Sequence, residues 1–367
     1  MEIRFFWYRL VTGRIIIVEK ERERRMRMKR VFATGLVGIM SVTALGGCGS
    51  KDSKDAAKSD SVKMPSDAYE IVELASERTN ALDSYEMSGS FNFAIDAMGT
   101  AVDAKADFSA VYFKDPMKMK MDVDVTANSG EDTEDVSVDL YFMNEEDTYV
   151  VYVGTEADGK SEWMKTSLDP EDDSQKSLID ALDGLKEGKS EKSSLEDFKD
   201  CFSLDKDNDT DDATALTFTL TGQQIMDAYN ESADVLESAG VSTEQLDSSL
   251  SAYGLTTESI FNGMGDITAN MTVDTDQIYL KSVSMDLATP IQSLVDVVID
   301  GMAEVYGEYM DDSSIQIDVS ACDFTFNYDK YNEAADFELP EEAKDAEEVS
   351  TDDVIGEADS ASSLDVE

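Results

Sequence analysis

Met117–Val125 reads MKMKMDVDV, an unbroken alternation in which Met117, Met119, Met121, Val123 and Val125 are separated by lysines and aspartates. A strict period of two marks a strand with one buried face and one wet face. The same period extends in both directions. Upstream, Tyr85, Met87, Phe91, Phe93 and Ile95 alternate with Glu86, Ser88, Ser90, Asn92 and Ala94, and Val102, Ala104, Ala106, Phe108, Ala110 and Tyr112 form another run. Downstream, Val136, Val138, Leu140 and Phe142 continue the series, followed by TYVVYV (Thr148–Val153) and the segment around Trp163-Met164. Lys114-Asp115-Pro116 and Asn144–Asp147 supply turn residues between runs. Strands this closely spaced predict an antiparallel meander.

Helical periods flank the meander. Pro65-Ser66-Asp67 opens a helix with Ala68, Ile71, Val72, Ala75 and Leu82 on one face, and Asp67 with Glu70 is placed as a capping box. The middle, Asp169–Gly265, reads as helical and loop-rich, with an insertion expected around 170–265. In it Leu178, Leu182 and Leu185 trace a short helix, Thr217–Leu220 ends a strand, and Thr221-x-x-Gln224 caps a helix carrying Ile225, Met226 and Tyr229. Strands return through Ile267–Val273 and Val283–Leu287. Thr289-Pro290 is placed as a cap and first-turn proline for an amphipathic helix, Pro290–Met310, with Val298 and Met302 on its apolar stripe and Asp296, Asp300 and Glu304 opposite. A last strand follows from Ile315. Its apolar positions pass from odd (Ile317, Val319) to even (Phe324, Phe326), predicting a bulge near Ala321-Cys322.

The chain begins differently. Lys29-Arg30 precedes the uncharged run Val31–Leu45, which is the length of a signal-peptide core and short for a membrane span. The run ends in Leu45-Gly46-Gly47-Cys48, and Gly49–Met64 is a Ser/Asp/Lys tether reaching at most about 55 Å. Leu45, Gly46, Gly47 and Cys48 resemble the bacterial lipobox. That resemblance implies a diacylglyceryl group on the Cys48 thiol, cleavage before it, and attachment by two acyl chains. Residues 1–27 fit no signal peptide and are expected to be an upstream extension, with translation starting at Met28 or Met26. The remaining organisation reads as signal peptide 28–47, lipidated Cys and tether 48–65, a single domain 66–340, and an acidic disordered tail 341–367.

Composition limits the chemistry. The chain holds 30 Lys and Arg against 80 Asp and Glu, a formal net charge of −50, and ten of the basic residues lie within the first 47. A nucleic-acid partner is excluded on this balance, because phosphate neutralisation needs basic surfaces. There is no His, which removes His-based triads and an imidazole base. Cys201 and Cys322 are open to one disulfide or to two separate buried thiols. Asp205-x-Asp207-x-Asp209 begins like a calcium loop, but the sixth and twelfth positions are Thr210 and Leu216 rather than Gly and Glu, so a hairpin tip is expected. No catalytic residue, resident metal or cofactor is assigned.

Helix, long meander, helical insertion, further strands and a tether from a lipidated Cys together resemble the LolA-like group of lipoproteins (LolA, LolB and LppX-type). The segments NYDKYNEAADFELPEEAKDA (Asn327–Ala346) and LDSYEMSGSF (Leu82–Phe91) are similar to the closing and opening segments of an uncharacterised lipoprotein family of Gram-positive bacteria. The resemblance implies an α+β fold, a curved antiparallel half-barrel with helices packed on its concave side. It also implies residence on the outer face of the cytoplasmic membrane and a lipid or other acyl-bearing ligand. Phe91, Phe93, Met117, Met119, Met121, Val298 and Met302 are the expected lining. The other reading is a non-catalytic structural or regulatory lipoprotein that docks on an envelope or cell-wall enzyme.

Overall fold

In a computed structural model of the protein, the structure describes residues 63–349 apart from 131, 146–147, 158–159, 169–178, 180–193, 232–247, 249, 252 and 307–315. The first helix, α1 (Ala68–Asn80), starts where the Asp67 carboxylate accepts a hydrogen bond from the Glu70 N–H at 3.1 Å. This satisfies one of the amides left without a helical partner. The expected alternations then follow as β1 (Ser84–Ala97), β2 (Thr100–Lys114), β3 (Met117–Ser129), β4 (Asp132–Glu145), β5 (Thr148–Ala157) and β6 (Lys160–Ser167). A 3-10 segment, Ser194–Cys201, leads into β7 (Phe202–Leu204) and β8 (Ala213–Leu220). Next come α2 (Gly222–Glu231), α3 (Thr257–Met264), β9 (Ile267–Asp274), β10 (Leu280–Asp286), α4 (Ala288–Tyr306) and β11 (Ile317–Asp329). The described chain closes with α5 (Glu341–Lys344) and β12 (Glu347–Glu348).

Among the described residues, all strands join one unclosed twelve-stranded sheet in the order β12-β6-β5-β4-β3-β2-β1-β11-β10-β9-β8-β7. Neighbours are antiparallel except β12 and β6, so the sheet is mixed and the fold is α+β. The two halves meet where β1 pairs β11. Register builds the core as rows across strands. Met87 lies opposite Tyr328 and Ala110, Ala110 opposite Met121, Met121 opposite Leu140, Leu140 opposite Val153, and Val153 opposite Met164. Ile71, Val72 and Ala75 of α1 join this same buried cluster. Burying a side chain such as Ile71 contributes about 1.5–3 kcal/mol. The lone arginine after residue 47, Arg78, ties the end of α1 to the β9–β10 turn by donating to the Gln277 carbonyl.

Gly89 shows how the sheet is packed. It lies opposite Phe108 on β2 and Phe326 on β11, and their rings meet with centroids 5.3 Å apart. A Cβ there would come within 2.4 Å of the Phe108 ring, so a residue without a side chain is required.

Several expectations are corrected. The strand expected to end at Thr217–Leu220 is β8, and the unexpected β7 extends the sheet beyond it. The helix after β10 starts at Ala288, whose N–H donates to the Asp286 carboxylate at 2.9 Å, so Thr289 is not its cap. The bulge expected near Ala321-Cys322 is present, at the adjacent Ser320, because Ala94 faces Ala321 and Ile95 faces Val319. The outer face is not uniformly wet, and the chain does not leave the fold at Pro340. Phe337, Leu339, Ala343 and Ala346 pack on Tyr141, Val150, Tyr152 and Trp163 in a second cluster, and Ala343 is 0% exposed. Apolar contacts on odd-numbered Tyr141 and Trp163 help to hold this C-terminal strap down. Leu178, Leu182, Leu185, Gly307 and residues 351–367 lie outside the described residues.

Candidate functional site

The inner face of the sheet is longer than its first helix. Strands of 13 to 15 residues extend about 43–50 Å, whereas the 13 residues of α1 span about 20 Å. The part of that face away from α1 is correspondingly less sealed. Phe91, Phe93 and Ile95 on β1 lie opposite Ala106, Ala104 and Val102 on β2, and Ala106 lies opposite Val125 on β3. On the other side Phe91 faces Phe324 of β11. All are half-buried except Phe91, which is 40% exposed. These side chains are all apolar, and the short Ala104 and Ala106 stand lower than the phenylalanines beside them. The strip can offer dispersion and desolvation to a hydrocarbon chain, and no acid, base or nucleophile to a reaction.

The expected lining residues fall in three places. Phe91 and Phe93 belong to the strip. Met117 and Met121 are 2% and 5% exposed in the main core, with Met119 packed half-buried against it, so the methionine run is strand core. Val298 is half-buried and Met302 buried on α4, outside that core cluster. Helix α4 docks on β11 through Gln292, which accepts from Val319 N–H at 2.6 Å and donates to the Ile317 carbonyl at 3.1 Å. Against α3 and the segment before it, α4 approaches through glycines: Gly263 lies against Val297, and Gly301 against Leu255 and the Tyr253 carbonyl. Leu45, Gly46, Gly47 and Cys48 lie outside the described residues. Cys201 and Cys322 are both buried free thiols, so the disulfide left open by the sequence is not formed. Burial first, then Asp323 and Asp286, pushes the Cys322 thiol up and keeps it protonated.

Burial and close neighbours set the state of several other groups. Tyr85 stacks on Tyr112 at 5.0 Å and on Tyr328 at 5.9 Å. Burial pushes all three phenols up, Tyr328 to about 12. On the outer face Asp122 lies opposite Asp139. Desolvation first, then the Asp122 carboxylate, raises the Asp139 carboxyl, while Lys120 opposes the shift. The Asp205–Asp209 segment is a hairpin loop whose carboxylates are used locally: Asp205 accepts from the Asn208 amide at 2.7 Å and Asp209 from the Ala215 N–H at 2.8 Å. No group of three or more His, Cys, Asp or Glu is arranged to hold a metal among the described residues.

Residues 67–289 match a family of unknown function, DUF6612. The chain belongs to that family. The DUF6612 match takes in α1, the meander, the strands β7 to β10 and the opening of α4. No curated protein matches the chain. β11 and the strap follow the matched DUF6612 residues, yet they complete its sheet. Asn332 accepts from Asp83 N–H and donates its own N–H to the Ser84 carbonyl, both at 2.7 Å. The Tyr331 hydroxyl donates among the Leu280 and Tyr328 carbonyls at 2.8 and 3.0 Å. Leu82–Phe91 and Asn327–Ala346, far apart in sequence, are therefore one joint in space. The strap's seat on the outer face was missed by sequence reasoning. Its signal was present in the Phe337-x-Leu339-Pro340 pattern, but a short acidic segment with few apolar residues reads as tail.

Proposed function

We propose that this DUF6612 member is an extracytoplasmic lipoprotein, held on the outer face of the cytoplasmic membrane by a diacylglyceryl group on Cys48, that binds an acyl chain or similar hydrophobic ligand on the Phe91–Phe93 strip. The half-buried apolar strip, with Phe91 40% exposed, is the observation that carries this reading. A LolA-like half-barrel, with the strip on its concave side and helices beside it, is the form of the sheet that this function requires. The protein acts by binding and not by catalysis. Lipid co-purifying with a Cys48→Ala chain, detected by mass spectrometry, and uptake of a fluorescent fatty acid test the proposal. Phe91→Asp removes an apolar contact of about 1.5–3 kcal/mol and is expected to weaken uptake tenfold or more. A folded chain that carries no lipid and takes up no fatty acid overturns the reading. The second reading, docking on an envelope protein, is favoured by the sealed core around Met117 and Met121. It predicts a stoichiometric protein partner and no lipid.

A further inference from the structure

The outer face of β2–β6 carries a groove with a sharply defined chemistry. Tyr141 and Trp163, 5.9 Å apart, lie beneath Phe337, whose ring is 5.9 Å from Tyr141 and 6.0 Å from Phe113. Lys118 is buried here to 14% side-chain exposure. Its ammonium sits over the Phe113 and Phe337 rings at 5.0 and 4.7 Å, donates to the Phe337 carbonyl at 3.2 Å and pairs with the Asp336 carboxylate. Lys120 lies over the Tyr141 ring at 5.8 Å. Lys165 stands opposite Glu348 in the parallel β6–β12 pair, and its carbonyl accepts from the Val349 N–H at 2.9 Å. In a chain of net charge −50, three lysines on one face meet a strap, Glu333–Val349, that holds eight acidic residues and one lysine.

We propose that this groove is a docking site for an extended acidic segment, occupied in the structure by the chain's own strap and equally suited to the strap of a second copy. The mode is strand addition to the β6 edge, with main-chain bonds giving adhesion and the Phe337 pocket giving selectivity. The strap is separable from the sheet's central joint. Asn332 is fixed to Asp83 and Ser84 independently, and Glu333–Ala335, held by the Glu333 N–H on the Lys330 carbonyl and the Ala335 N–H on the Glu86 carboxylate, connects that fixed point to the Lys118 contact. A strap exchanged between two copies would make the same contacts in each groove, so only the entropy of association separates the closed monomer from the exchanged dimer. Charge complementarity selects this occupant at Lys118, whose largely buried ammonium pairs with Asp336 and would lose that pair to a neutral or basic segment, whereas Lys120 pairs with Asp122 on its own strand.

A fluorescent synthetic peptide of residues 333–349 titrated into the full-length chain tests this. In the wild type the tethered strap competes at high effective concentration, so weak binding is expected. Phe337→Ala in the protein loosens the tethered strap and is expected to tighten peptide binding at least tenfold, with binding falling as NaCl rises and lost on further substitution Lys118→Ala. Hydrogen exchange at the Val349 amide reports strap release. Released strap with no peptide binding overturns the proposal, as does a Val349 amide that exchanges only with the whole sheet. If Phe337→Ala unfolds the chain, Asp336→Asn, which removes only the pair with Lys118, takes its place with the same two overturning outcomes.

Discussion

Asn332 occupies a left-handed backbone conformation, φ +58°, which Asn tolerates better than most residues. There it serves the opening of β1 through the paired bonds to Asp83 and Ser84. Asn332→Ala is expected to destabilise by about 2 kcal/mol, combining one lost hydrogen bond of about 1 kcal/mol with a left-handed penalty of about 1 kcal/mol. Asn332→Gly loses only the side-chain bond and is expected to cost about half as much; urea titration of the two variants separates the contributions. Asp139 gives a pH prediction. Desolvation and Asp122 raise its carboxyl in the folded chain, so folding is favoured with the proton on. That contribution is complete below the ordinary carboxylate value of about 3.9 and is lost as pH rises through the raised value in the fold. Asp139→Asn is therefore expected to be more stable than wild type at pH 7, with the gain shrinking as pH falls toward 4 in thermal melts. A gain independent of pH would assign it to something other than the Asp122 carboxylate.

At the scale of the element, α4 carries the amphipathic stripe expected from its sequence, and its glycine has a specific task. A Cβ at Gly301 would lie 2.6 Å from Leu255 Cδ2 and 3.1 Å from the Tyr253 carbonyl oxygen, and Leu255, at 4% exposure, has no room to yield. Alanine gains about 1 kcal/mol of helix propensity, but overpacking costs about 1–3 kcal/mol. Gly301→Ala is expected to lose about 1 kcal/mol of stability, read from chemical denaturation. Unchanged or increased stability would show that α4 can shift away from Tyr253–Leu255. The strands illustrate the opposite case. Their burial follows alternation closely on β2, where Val102, Ala104, Ala106 and Phe108 are half-buried between exposed Ala101, Asp103, Lys105, Asp107 and Ser109.

At the scale of the whole molecule, charge acts on the entire fold. A net charge of −50 places many carboxylates within a Debye length, about 10 Å at 0.1 M salt, and self-repulsion opposes the compact state. Surface pairs such as Lys105–Asp107 and Lys281–Asp212 contribute little by comparison. Raising NaCl from 20 mM to 0.5 M is therefore expected to raise the melting temperature, and a flat or falling response would give the ion pairs the larger weight. The alternation around Met117–Val125 and Tyr85–Ile95 by itself determined the meander, because side-chain period is a local property of extended backbone. Asp67 likewise announced the start of α1, since a helix cap acts within one turn. Only the tertiary structure decided that β11 joins β1, that β7 and β8 belong to the same sheet, and that Met117 and Met121 are sealed while Phe91 is not. It also decided that residues after Pro340 return to cover Tyr141 and Trp163. These depend on which faces meet between segments far apart in the sequence, and a few well-placed contacts such as Asn332 with Asp83, or Phe337 with Lys118, leave no periodic mark in the sequence.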